Sequence, residues 1–371
     1  MLLTRGILAS ALLSSSVLGH LHNFYTGFYS GNSLYGIQFD DVSSELSVVY
    51  NGSLDMQSSQ WIATDEGHRN LYIADDTKYD SYSIRADKSL VYKGSASIPG
   101  SCDTALYIVG STKPPFTAFG ASYAEGCPGQ VIKVDETGTL KSVVANIPYS
   151  SIAGVHGLAL SADNKFIYSA DDMGSAVWVH SYDAVSNKVS AIQQLNVTGQ
   201  PRHVTVHPKG SYVYVVLEIS NEVAVFNRDP VSGRLSGNTT YSLLPSGHSS
   251  TVTYWADEVI LSVAQEGSNP KYLFASTRAL NTTTETGFVS AFSLDSVTGA
   301  IKDRLFLLPT TASGGGSNAV SPAIFSEQYF AIADAGDNFV EVWKLNESGS
   351  TASMVAHLDI DESPSNIVWM D

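Results

Sequence analysis

An all-β chain folded as a seven-bladed β-propeller of four-stranded antiparallel blades is the architecture this sequence predicts, on three observations. From Ser151 to Glu222 one unit of strand, turn, strand, turn, strand occurs twice. In the first copy VHGLALS leads through ADNK to FIYSADD and AVWVHSYD; in the second RHVTVHP leads through KG to SYVYVVLE and EVAVFNRD. Val, Ile, Tyr, Phe and Trp alternate with polar residues between Asp, Asn, Gly and Pro clusters, the mark of short antiparallel strands. The copies lie about 46 residues apart, a spacing typical of propeller blades. No amphipathic stretch of helical period lies between the strands, which argues against helical and parallel α/β folds.

In chain order, MLLTRGILASALLSSSVLG carries one early Arg5, an apolar run from Ile7 to Leu18 and small residues near its end. It predicts a secretory signal peptide over residues 1–19, cut near Gly19. The run is too short to span a bilayer, and no later stretch is long and apolar enough, so no membrane span is expected. Residues 20–371 then form one propeller domain. Its third strands are SLYGIQFD, YDSYSIR, GQVIKVD, AVWVHSYD, EVAVFNRD, GFVSAFSLD and NFVEVWKLN, about 46 to 51 residues apart except for one longer step before Gly287. Second strands are RNLYIADD, KFIYSADD, SYVYVVLE, KYLFASTR and YFAIADA. First strands are QWIAT, TALYIVG, HGLAL, HVTVH, VTYWAD, AIFS and NIVWMD. Because the chain begins with a second strand, HNFYTGFYSG, and closes with a first strand, NIVWMD should complete the N-terminal blade and hide both sheet edges. Six- and eight-bladed rings are the alternatives.

Twenty basic against 36 acidic residues give a formal net charge of -16. Such acidity argues against nucleic acid or an anionic membrane as partner, since both need a basic surface. Five sequons, at Asn51, Asn196, Asn238, Asn281 and Asn346, behind a signal peptide predict a secreted glycoprotein, with cell-wall association as a further option. The two cysteines, Cys102 and Cys127, would meet an oxidising compartment and are expected to form a disulfide, the alternative being two buried thiols.

Propeller topology turns these positions into a site. The innermost strand is followed by an antiparallel second strand, so residues entering the first and leaving the second share one face around the channel mouth. His156 and Arg202 enter first strands, whereas Glu218 and Arg278 leave second strands, and the four should converge. Asp171, Asp172, Asn318, Asp334 and Asn366 hold analogous rim positions. Two guanidiniums in one mouth of an acidic protein would repel each other without an anionic ligand, and Arg offers a planar fork for carboxylates. A small polycarboxylate is therefore the expected ligand. Each residue also has a plain structural role open to it, His156 as a turn residue and Arg202 as half of a surface ion pair.

Other constellations are weaker. His203 and His207 share a strand face and could form a metal pair, but blade packing and a turn explain them as well. Turn chemistry explains Asp75-Asp76 and Asp171-Asp172. Gly314-Gly315-Gly316 lacks the helix start of a phosphate cradle, and nucleophile-elbow, H-E-x-x-H and paired C-x-x-C motifs are absent. No metal and no other cofactor are expected.

GVHGLALSADNKFIYSADD, GQPRHVTVHPKGSYVYVVLE, YLFASTRA, LFLLPTTASGGGSNAVSP and SNIVWMD together resemble the fungal 3-carboxy-cis,cis-muconate cyclases, within the broader lactonase-like propeller family. That resemblance implies a metal-independent cycloisomerase whose one His, two Arg and one Glu fall on His156, Arg202, Arg278 and Glu218. Arg202 and Arg278 would hold substrate carboxylates with Asn318 nearby, and His156 or Glu218 would move the proton. Two features depart from the pattern. Relatives carry a His where this chain has Gly316, and a signal peptide is unexpected for an enzyme of intracellular aromatic degradation. A lactone hydrolase of the same family, or a non-catalytic secreted or cell-wall glycoprotein, are the alternatives.

Overall fold

The computed structural model describes residues 20–98, 100, 102, 104–248, 253–264 and 268–371. The signal peptide expected over residues 1–19 lies outside the described residues. Every regular element among them is a β-strand. The strands make seven antiparallel sheets of four, and the innermost strands touch in a closed ring. We number the blades by these innermost strands: Trp61–Thr64 (blade 1), Ala105–Gly110 (2), Val155–Leu160 (3), Pro201–Val206 (4), Tyr254–Leu261 (5), Asn318–Pro322 (6) and Pro364–Trp369 (7).

Blade 7 closes as its sequence predicts. Pro364–Trp369 pairs antiparallel with Leu21–Phe28, setting Phe24 opposite Trp369. The sixth innermost strand differs from expectation. It is Asn318–Pro322, and AIFS lies in the turn after it, where Ala323 N–H donates to Tyr329 O. Pro322 ends the strand, and Phe325 is apolar because it covers the ring's closure, 3.4 Å from the His22 ring and 5.4 Å from Trp369.

The core lies between blades rather than within one sheet. Tyr168, Val177 and Val179 of blade 3, for example, pack on Val204, Val213, Val215 and Leu217 of blade 4. Tyrosines explain part of the high aromatic content. The hydroxyls of Tyr72, Tyr168 and Tyr214 each donate to a turn glycine of the next blade, the carbonyls of Gly138, Gly233 and Gly299. The outermost strands, such as Glu45–Ser53, are half exposed and polar, which is why their alternation was too weak to be recognised in the sequence. Cys102 and Cys127 are bonded, with Cα atoms 5.8 Å apart. All five sequon asparagines are exposed.

One irregularity positions the site. The innermost strands of blades 2, 3, 4 and 5 each slip by one residue against their second strands, between Ala105 and Tyr107, Val155 and Gly157, Pro201 and Val204, and Ala256 and Val259. A bulge inserts one residue and re-aims its neighbours. Consecutive side chains that a regular strand would send to opposite faces can then both turn toward the channel.

Candidate active site

The bulged segments supply Leu106, His156, Arg202 with His203, and Asp257 with Glu258. Leu106, His156 and Arg202 line a narrow cavity at the channel mouth, together with Tyr29, Gln60, Trp61, Ser317 and Ser365.

Beside it lies a buried ion network. Arg202 Nη1 is 2.6 Å from Asp257 Oδ1 and donates to the Asp257 carbonyl at 2.6 Å. Its Nε is 3.4 Å from Glu218 Oε1. The same carboxylate oxygen accepts from Arg278 Nη2 at 2.5 Å. Arg278 also donates through Nη1 to the Gly316 carbonyl and lies over the Trp255 ring at 5.1 Å. Asp257 is fully buried and accepts from Ser317 Oγ and Asn318 N–H. Burial works to raise its carboxyl, but Arg202, Arg278 and the Asn318 N–H hold it below the usual range. For Arg202, burial is likewise outweighed by Asp257 and Glu218, which push its pKa up. Two arginines are thus balanced by two carboxylates of the protein itself. The repulsion expected of an unliganded site is absent, because Asp257, which the sequence reading passed over, neutralises Arg202.

His156 faces this network. Its Nδ1 lies 3.0 Å from His203 Nε2, and its ring meets Tyr123 edge-on at 5.1 Å. Burial in the channel, then Arg202, His203 and Arg278, hold the imidazole well below its ordinary pKa, so it is neutral near pH 7. His203 Nδ1 is in turn 3.0 Å from Glu258 Oε2. Tyr123 donates its hydroxyl to Asp172.

The family model for the seven-bladed β-propeller lactonases matches residues 23–264. The chain belongs to this lactonase family. Carboxy-cis,cis-muconate cyclase of Neurospora crassa is 28% identical over 374 residues, which cover 95% of this chain and 100% of the relative. A 6-phosphogluconolactonase of Pectobacterium carotovorum is 24% identical over 58% of this chain and 62% of its own length. Among solved structures, the periplasmic gluconolactonase of Pseudomonas aeruginosa matches with a TM-score of 0.79 over 95% of this chain and 99% of its own, at 18% identity. That last likeness speaks for the fold alone.

In this lactonase-family propeller His156, Arg202, Glu218 and Arg278 do gather at one mouth. Asn318 does not face it. Its side-chain amide donates to Thr277 O at 2.9 Å and Thr310 Oγ1 at 3.2 Å, inside the contact between blades, and so, contrary to the sequence expectation, does not reach a substrate in the mouth. Only its backbone N–H serves the site, through Asp257. Three of the other rim residues are structural. Asp171 accepts from the Gly154 and Gly174 N–H groups, Asp334 from those of Gly314, Gly336 and Asp337, and Asn366 pairs with the Ile62 backbone. His207 belongs to a turn and accepts from Lys209 N–H, so it forms no pair with His203. The Gly314-Gly315 run packs rather than cradles: both residues have positive φ, and a Cβ on Gly315 would sit 2.4 Å from Gly336 Cα. Gly316 differs, since a Cβ there meets only ordinary contacts, nearest Tyr29 at 3.6 Å.

Asp172 is more than a turn residue. Burial first, then the Glu218 charge, push its carboxyl up to about 6 against the pull of the Tyr123 hydroxyl. Its folded pKa exceeds its unfolded value, so the ionised group weakens the fold above pH 6, and the penalty fades as pH falls from about 6 toward 4. Asp172→Asn should therefore stabilise the fold at pH 8 by up to ~3 kcal/mol and raise its melting temperature, with the gain shrinking at pH 5. Equal melting temperatures at both pH values would show that Asp172 is not destabilised.

Proposed function

We propose that the protein is a lactone-interconverting enzyme, a cycloisomerase closing 3-carboxy-cis,cis-muconate or a related unsaturated polycarboxylate to its lactone. The observation that carries this reading is Arg202 and Arg278 sharing Glu218 beside a neutral His156. Full-length similarity to a muconate cyclase supports it. Arg202, held by Asp257, presents an oriented guanidinium to the mouth cavity. Arg278 stands behind it, bonded to Glu218 and to the Gly316 carbonyl, and adds a second positive charge beside the mouth. Glu218 holds both guanidiniums in place, which leaves proton transfer to His156.

In the reaction one substrate carboxylate oxygen bonds to an alkene carbon. The π electrons move to the neighbouring carbon and into its carboxylate, where the arginines stabilise the enolate-like charge. Holding both groups in one cavity makes ring closure an intramolecular step. A proton then ends on carbon, so each closure consumes one proton. Similarity to 6-phosphogluconolactonases supports a second reading, water-dependent lactone opening, which releases one proton in the reverse sense. For either reaction the ligand is a small anion. The five exposed sequons support export as a glycoprotein.

Loss of the conjugated-diene absorbance of 3-carboxy-cis,cis-muconate is the direct assay. Arg278→Ala should lower kcat/KM by about 10²–10³, as for loss of one stabilising donor. Diene loss that Arg278→Ala leaves unchanged would exclude the arginine clamp. No diene loss with turnover of an anionic sugar lactone would select the hydrolase.

A further inference from the structure

We propose that His156, His203 and Glu258 form a proton relay through the centre of the propeller, joining the active-site mouth to the opposite end of the channel. The inference rests on the proposed function, in which every turnover takes up or releases one proton.

The three residues come from the bulges of blades 3, 4 and 5. Two contacts link them, His156 Nδ1 to His203 Nε2 at 3.0 Å and His203 Nδ1 to Glu258 Oε2 at 3.0 Å. His156 lines the mouth cavity. Glu258 lines a second, wider cavity, walled by Leu158, Val204, Val206, Val259 and Ile260. His203 borders neither and is 2% exposed. The Trp61 and Tyr107 rings stack 4.5 Å apart and close around it, at 4.7 and 5.5 Å. Gly157 leaves room for it, since a Cβ there would come within 2.8 Å of His203 Cδ2.

The donor and acceptor rules allow two directions. When Glu258 is ionised, Oε2 accepts from His203 Nδ1–H. His203 Nε2 must then accept from His156 Nδ1–H, and His156 presents the bare Nε2. When Glu258 is protonated the order reverses: Glu258 donates to His203 Nδ1, His203 Nε2–H donates to His156 Nδ1, and His156 presents Nε2–H. Each closure begins when a proton from solvent in the second cavity reaches Glu258 and turns the resting first arrangement into the second; giving the His156 Nε2 proton to the substrate carbon then restores the first. One proton has left Glu258 and one C–H bond has formed, with each imidazole neutral before and after. In lactone opening the bare His156 Nε2 of the first arrangement takes a proton from the attacking water as its oxygen bonds to the acyl carbon; the water's other proton ends on the leaving alkoxide oxygen, and Glu258 gains the relayed one. Neutral transfer suits the surroundings: His156 faces Arg202, Arg278 and Tyr123, and the two guanidiniums oppose an imidazolium. His203 and Glu258 are relay and positioning groups rather than catalytic residues.

Glu258→Gln separates the possibilities. Glu258 Oε1 already accepts from the Val259 N–H at 2.9 Å, so the glutamine oxygen should stay there and turn its NH2 toward His203. Histidine ¹⁵N–¹H correlation spectra, assigned with His156→Gln and His203→Gln, should show both imidazoles as Nδ1–H tautomers in the wild type near pH 7 and as Nε2–H tautomers in Glu258→Gln. With 3-carboxy-cis,cis-muconate, kcat should fall by about 10²–10³ while KM stays within about threefold. The solvent isotope effect of the wild type should show several protons in flight, and that of the variant one. Unchanged tautomers overturn the relay, and so does a tautomer switch with unchanged kcat in an active enzyme. A wild type that turns over neither muconate nor lactone removes the proposed function, and the spectra still decide the hydrogen-bond chain. Should Glu258→Gln fail to fold, His203→Gln takes its place, with the same fall in kcat expected at constant KM.

Discussion

Arg202→Ala should lose activity and stability together. Asp257 is fully buried against the Arg202 guanidinium, and removing one partner of a buried ion pair strands the other charge at a cost of about 3–5 kcal/mol. The loss exceeds that of a surface pair because Asp257 also accepts from Ser317 and Asn318, so it cannot swing out to water without breaking the link from blade 5 to blade 6. Diene loss should fall below detection, since the guanidinium that lines the mouth is gone. Adding Asp257→Asn should recover part of the stability and none of the activity, a non-additivity expected of residues in direct contact. Thermal melts of the two singles and the double test this. Additive losses would mean that Arg202 and Asp257 act independently.

Removing residues 364–371 should abolish folding. That segment is the innermost strand of blade 7. It buries Trp369 against Phe24 at 4.8 Å, and its Asp371 accepts from the Asn23 N–H and contacts His22. Ser365 and Asn366 bond to blade 1, at Ser59 and Ile62. Truncating a buried Trp costs about 3–5 kcal/mol by itself, against a total stability of about 5–15 kcal/mol for a typical domain. Circular dichroism on any soluble product checks it. A truncated chain that melts like the full one would mean that blade 7 holds with three strands.

The blade count was legible because period-two alternation recurs at a nearly constant spacing, and closure followed from a chain that starts on a second strand and ends on a first. AIFS misled because Ile324 and Phe325 are apolar for another reason, covering the closure. The four site residues were legible because they sit at strand ends, where topology alone decides which face they take. His203, Asp257 and Glu258 were not, because the one-residue slips break the alternation from which facing is inferred. The signal was nonetheless present. An Asp-Glu pair inside the otherwise apolar YWADEVIL has no reason to be there unless both carboxylates find buried partners. Asn318 failed in the opposite direction, since an amide at a strand entrance serves equally well to join two blades.

The closing strand also sets a timetable. His22 and Asp371, which bond across the closure, are 349 residues apart in sequence. A ribosome adding about 5–20 residues per second therefore leaves the strand Leu21–Phe28 without its inner neighbour for roughly 20–70 seconds. Through that interval it offers an open, largely apolar edge, the kind that recruits other chains. The yield of folded protein is then governed less by how stable the finished ring is than by what shields its first strand while the last one is still being made.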